Sequence, residues 1–205
     1  MLITDFVARY QKTFLDAIQN TKVFDKNGQE LSFDSAVQQI VDILIRLENE
    51  DKKLMLVGNG GSAGITSHMA LDFWKNGGIK ATAFNDSSLL TAVANDYSFE
   101  EVFSKPIEIF ANSGDMLFAI SSSGNSKNIA NAAKAATEKH CEVITFSGFS
   151  LDNSLLKLGD FNFYVASNSY GMVETAHAYI IHCLLDAKLY CKSSVDIFEK
   201  NMKMI

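Results

Sequence analysis

The sequence predicts an α/β protein: a three-layer α/β/α sandwich on a five-stranded parallel sheet, with helices preceding it at the N-terminus. Three observations predict this. From Lys53 onward, short apolar runs alternate with segments of helical periodicity. Such alternation fits a parallel sheet covered by helices on both faces. Two of the apolar runs end in glycine- or serine-rich turns, at the carboxyl ends of strands where open parallel sheets bind ligands.

Each element has its own justification. Ile3, Phe6, Val7, Tyr10, Phe14 and Ile18 recur at helical spacing within residues 3–21. The stretch Asp25-Lys-Asn-Gly-Gln-Glu30 reads as a loop, and Ser32 or Asp34 then caps a second helix carrying Val37, Ile40, Val41, Leu44 and Leu47. Strands are expected at 53–58, 79–84, 115–121, 142–147 and 161–166. Helices are expected near 62–76, 86–94, 100–111, 126–139 and 171–192. No internal repeat or low-complexity linker divides the 205 residues. One domain is therefore expected, with a helical segment over 1–50, an α/β core over 51–192 and a tail over 193–205.

The composition narrows the function classes. A net charge of −6 argues against nucleic acid as the main partner. No apolar run reaches the ~18 residues of a membrane span. The N-terminus lacks the basic start and long apolar core of a signal peptide. Three cysteines, Cys141, Cys183 and Cys191, form no C-x-x-C pair and read as reduced thiols. These features predict a cytoplasmic protein without a membrane partner.

Two turns carry the chemistry. In Leu54-Met-Leu-Val-Gly58-Asn-Gly-Gly-Ser62 an apolar run breaks into glycines and restarts as a helix. Glycines let backbone N–H groups close on a phosphate without Cβ interference, and the helix N-terminus adds favourable partial charge. Residues Gly58 to Ala63 also fit a loose dinucleotide-binding pattern, with Asp86 as a ribose-binding acid near the end of the next strand. The second turn, Ser121-Ser-Ser-Gly-Asn-Ser126, follows Met116-Leu-Phe-Ala-Ile120 and precedes a helix. Its clustered hydroxyls and N–H groups make a neutral phosphate cradle, which a dinucleotide fold does not require.

Four titratable residues fall on two helices. His68 and Asp72 are four apart and share one helix face just beyond the glycine turn. Glu174 and His182 are eight apart, about two turns, so both can line one side of a cleft. His177 lies between them on a partly different face and reads as a supporting residue. Two histidines and two carboxylates can bind a divalent metal such as zinc, or perform acid–base chemistry directly. Asn95-Asp96 reads as either a substrate contact or a helix C-terminal turn.

Taken together, Gly58-Asn-Gly-Gly-Ser62, His68-x-x-x-Asp72, Ala94-Asn-Asp96, Ile120-Ser-Ser-Ser-Gly-Asn-Ser126 and Glu174-x7-His182 resemble the sugar isomerase (SIS) domain, and within it the phosphoheptose isomerases. The resemblance runs from about Leu54 to Leu189. It implies a flavodoxin-like fold and interconversion of sedoheptulose 7-phosphate with a manno-heptose 7-phosphate. It also implies one zinc ion per subunit and a homotetramer with sites at subunit interfaces. Asn59, Gly60, Ser62, Asp96, Ser121, Ser122, Ser123 and Ser126 would contact the phosphosugar. His68 and His182 fall on the family's metal ligands, and His182 also on its catalytic acid or base.

This chain departs from the family at several of these positions. Asp72 stands where the family has its catalytic Glu, and Glu174 where it has Gln. Asp72, Glu174 and His182 are thus the expected catalytic residues, and His68, Asp72, Glu174 and His182 the expected metal set. Asn76 replaces an Arg and Gly171 an Asp, both of which contact substrate in the family. A different class of function keeps the phosphate loops without the chemistry: a non-catalytic phosphosugar-sensing or protein-binding SIS module, of the type that associates with a replication initiator. Retention of two histidines and two carboxylates favours the enzyme.

Overall fold

A computed structural model describes residues 2–193. The expected tail therefore lies, from residue 194 onward, outside the described residues. Two helices, α1 (Ile3–Gln19) and α2 (Phe33–Asn49), flank a hairpin of β1 (Lys22–Asp25) and β2 (Glu30–Leu31). The core then alternates β3 (Lys53–Gly58), α3 (Gly61–Lys75), β4 (Lys80–Ala83), α4 (Ser87–Asp96), α5 (Ser104–Phe110), β5 (Met116–Ser121), α6 (Lys127–Glu138), β6 (Glu142–Gly148), β7 (Phe161–Val165) and α7 (Tyr170–Ser193).

The sheet runs β2-β1-β7-β6-β5-β3-β4. All five expected strands are present and pair in parallel. The sheet has seven strands because the residues on either side of the segment read as a loop pair as a short antiparallel hairpin, with that segment as its turn, and β1 adds to the edge of β7. There Asp25 Oδ1 accepts from the N–H groups of Asn27 (2.9 Å) and Gln29 (2.8 Å), and Gly28 takes φ 79°. With strands this short, the periodicity of the sequence carries no signal for them.

Alternate side chains of each buried strand feed two cores. Leu54 and Leu56 of β3 join Met116, Phe118 and Ile120 of β5 beneath α1, α2, α3 and α7. Met55 and Val57 face the other way, with Leu117 and Ala119, against α5 and α6. A sheet covered on both faces explains the continuous apolar runs.

Two elements correct the sequence reading. The helix expected over 100–111 is a 3-10 turn at Phe99–Glu101 followed by α5 from Ser104. A helix begun at 100 would need an N–H on Pro106 to reach the Val102 carbonyl, and proline has none. Asp86 is the N-cap of α4, accepting from Ser88 N (2.9 Å) and Leu89 N (3.0 Å). Capping accounts for that carboxylate, so the dinucleotide reading loses its ribose-binding acid.

Candidate active site

Within the parallel strands the order β4-β3-β5-β6-β7 reverses direction between β3 and β5. The crevice at such a switch point is where open α/β sheets bind ligands. Here a cleft of about 330 Å³ opens between the two turns picked out by sequence. Asn59, Gly60, Gly61 and Ser62 form one wall, and Ser121, Ser122, Ser123 and Ser126 the other. Glu174 and Tyr170 from the start of α7 close it.

Local physics shapes each wall. A Cβ on Gly58 would come within 2.8 Å of Ser62, so only glycine lets β3 turn directly into α3. Gly60 takes φ 53° at the N-terminus of α3. Across the cleft, Ser121 Oγ accepts from Gly124 N (3.2 Å) and lies 3.2 Å from Ser126 Oγ. Ser123 Oγ accepts from Asn125 N (3.2 Å). Ser122 is buried and its Oγ has no protein partner among the described residues. A buried orphan hydroxyl is costly, and an oxygen of a bound oxyanion would satisfy it. The serine turn itself carries no charged side chain, as expected; the lining contains no Lys or Arg, and its one carboxylate is Glu174 on the opposite side.

Asn59 is held by a residue that sequence reasoning did not single out. Its side-chain amide exchanges two hydrogen bonds of 2.9 Å with Asn128, which is buried in the first turn of α6. An Asn just after a serine-rich helix start was the signal available.

The titratable residues divide into two places. His68, Asp72 and His182 each offer one ligand atom within 4.8 Å of the others. His68 Nε2 lies 3.3 Å from Asp72 Oδ2, and the two imidazole centroids are 5.5 Å apart. Glu174 is not in this group; its carboxylate lies against Gly61, in the cleft. Two turns of α7, a rise of ~12 Å, separate it from His182. Asp186, one turn beyond His182, senses the group: burial raises its pKa, His182 opposes that and Asp72 adds to it. Its spacing of four from His182 was its signal in the sequence.

The other candidates are elsewhere. Asp96 ends α4, exposed, with Oδ1 accepting from its neighbour Asn95 (2.9 Å), and it does not line the cleft. His177 is fully buried, its Nε2 3.1 Å from the Ser147 carbonyl oxygen, and burial lowers its pKa to about 4. It is a neutral packing residue in the supporting role expected of it.

Comparison with known proteins supplies relatives of the whole chain. The SIS domain family matches residues 16–148. The phosphoheptose isomerase of Dechloromonas aromatica is 36% identical over 190 residues, 89% of this chain and 94% of that protein. The phosphoheptose isomerase of Helicobacter hepaticus is 39% identical over 157 residues, 74% of this chain and 80% of that one. Among solved structures, a phosphoheptose isomerase from Neisseria gonorrhoeae superposes with a TM-score of 0.78 at 29% identity, covering 91% of this chain and 98% of its own.

Proposed function

This chain belongs to the SIS-domain family and, within it, to the phosphoheptose isomerases, and we infer that it is an aldose–ketose isomerase acting on sedoheptulose 7-phosphate. The observation that carries this reading is the pairing of a hydroxyl-lined cleft, with its orphan Ser122 Oγ, and a histidine–carboxylate group further along the two helices, α3 and α7, that begin at the cleft. A heptose 7-phosphate has the same polarity. Its phosphate is at one end and its reacting carbons at the other.

The phosphate binds between the glycine turn and Ser121–Ser126, held by hydroxyls, backbone N–H groups and the N-terminus of α3. Glu174, beside the glycine turn, accepts hydrogen bonds from hydroxyls of the sugar chain. Asp72 is the base: it takes a proton from C1 of the ketose and returns it to C2, through an enediol. His182 donates a proton to O2 and receives the one from O1, so protons balance and no redox partner is required. His68 orients Asp72 through their 3.3 Å contact. Asp72 is one methylene shorter than Glu, and the contact with His68 sets the direction of its carboxylate.

Two imidazoles and a carboxylate fit the three-ligand pattern of catalytic zinc with an open position. His68, Asp72 and His182 would hold such an ion, which when bound would polarise the substrate carbonyl. A homotetramer with sites at subunit interfaces accords with the outer face of α1, where Ile3, Phe6, Val7 and Tyr10 are exposed. No helix among the described residues is long and apolar enough to cross a membrane. That and the three unpaired cysteines accord with a cytoplasmic enzyme. The non-catalytic module is not favoured, because it has no use for the histidine–carboxylate group.

The test is an isomerase assay on a panel of ketose phosphates, with chelator and with added zinc. Turnover of sedoheptulose 7-phosphate is expected; no turnover of any of them would overturn the reading.

A further inference from the structure

We propose that Asn153 is a positioning residue for the phosphate cradle, at the end of a buried polar chain that ties the cradle to α7; this rests on the phosphosugar reading above. Asn153 lies in the connection between β6 and β7, and no motif in the sequence points to it. It is fully buried, and both halves of its amide are engaged. Nδ2 donates to Ser147 Oγ (3.1 Å) and to the Ser150 carbonyl (2.7 Å), while Oδ1 accepts from Leu156 N (3.0 Å).

The same Oδ1 fills the space beside Gly124, in the middle of the serine turn. A Cβ on Gly124 would overlap the Asn153 amide, and Gly124 takes φ 65°, a region that side chains disfavour. The next two residues complete the grip. Ser154 donates its N–H and its hydroxyl to Asn125 Oδ1, each at 3.1 Å, and Leu155 N donates to the Gly124 carbonyl (2.9 Å). Three consecutive residues thus hold the back of the turn whose front faces the cleft. On the far side of Ser147, whose hydroxyl receives Asn153, the carbonyl oxygen of the same residue receives His177 Nε2 at 3.1 Å. His177 lies on α7 one turn beyond Glu174.

A neutral cradle has no charge to compensate for misaligned donors. Its affinity depends on hydroxyls and N–H groups converging on one point before the ligand arrives. A scaffold behind the turn therefore acts on phosphate affinity, while none of its hydrogen bonds involves His68, Asp72 or His182. Loss of Asn153 is expected to raise KM and leave kcat close to its original value.

The test compares the full-length protein with its Asn153→Ala and Asn125→Ala variants, using inorganic phosphate as a binding probe and sedoheptulose 7-phosphate as substrate. In Asn153→Ala, KM and the phosphate Kd should both rise about tenfold, the scale of a lost hydrogen bond, with kcat within about threefold of wild type. In Asn125→Ala, whose side chain is exposed, both constants should rise in the same direction. A merely structural role would lower thermal stability and the active fraction but leave KM and Kd unchanged, and that result would overturn the proposal. If Asn153→Ala does not fold, Asn125→Ala decides alone, and unchanged constants there overturn it. A wild-type protein that binds neither probe overturns the phosphosugar reading as well. One that binds both, with variants unaffected, overturns only the positioning role.

Discussion

The carboxylate of Glu174 packs against the bare Cα of Gly61, in space that a methyl group would need. This contact seats the start of α7 on the glycine turn and directs an acid into the cleft. Gly61→Ala places a methyl group under that carboxylate while improving local helix propensity by roughly 0.5–1 kcal/mol. The expected result is a protein that melts no lower than wild type, with KM raised about tenfold or more by the displaced wall. Steady-state kinetics beside thermal unfolding checks this, and an unchanged KM would refute it.

His182→Ala and Asp72→Asn each remove one half of the proposed proton relay. Loss of a general acid or base costs roughly 10²–10⁴ in rate. Phosphosugar binding should persist in both, because the serine cradle is two turns of α7 away. Calorimetric titration with sedoheptulose 7-phosphate separates the two effects. Wild-type turnover in His182→Ala would remove this residue from the mechanism.

Zinc affinity discriminates between the four-residue metal set expected from sequence and the three-residue group in the fold. His68→Ala and His182→Ala should each weaken zinc binding by at least the roughly 10–100-fold that loss of a mere outer-shell partner costs. Glu174→Gln should weaken it less than either, since that side chain lies in the cleft. Competition with a chromogenic chelator gives the affinities, and an equal loss in all three variants would restore Glu174 to the set.

Burial of His177 makes stability pH-dependent. Its folded pKa is about 4, against 6.5 for the free side chain. Above 6.5 both states are neutral and the group contributes nothing. As pH falls from 6.5 toward 4, the unfolded chain gains a proton that the folded one refuses, so stability is lost; below the folded pKa the loss levels off. Each tenfold difference in proton affinity between the two states is worth ~1.36 kcal/mol, so the full effect is roughly 3 kcal/mol. Urea unfolding near pH 7 and near pH 5 should show His177→Gln losing less stability than wild type, and equal losses would contradict this account.

The parallel strands and most of the helices were legible because their signals are local. Buried strands need continuous apolar runs, and helices need apolar residues three and four apart. The hairpin was not legible, since β2 contains two residues and no periodicity forms over two. The break before α5 was legible in Pro106, though only once its missing N–H is set against the carbonyl it would need. Both the glycine turn and the serine turn were visible as composition. Asn128 and Asn153, which hold them, were not, because a buried amide has no pattern along the chain and its partners come from other elements.

The sequence by itself determined the layered architecture, the two turns at strand ends and the helix face shared by His68 and Asp72. All of these follow from spacing along a single element. Only the tertiary structure decided which residues meet. The packing of α3 on α7 brings His182 to His68 and Asp72, and the same packing leaves Glu174 at the glycine turn. Eight residues along a helix are ~12 Å of rise whatever their shared face. Periodicity states which side of a helix a residue takes; where along the neighbouring helix it lands depends on how the two pack.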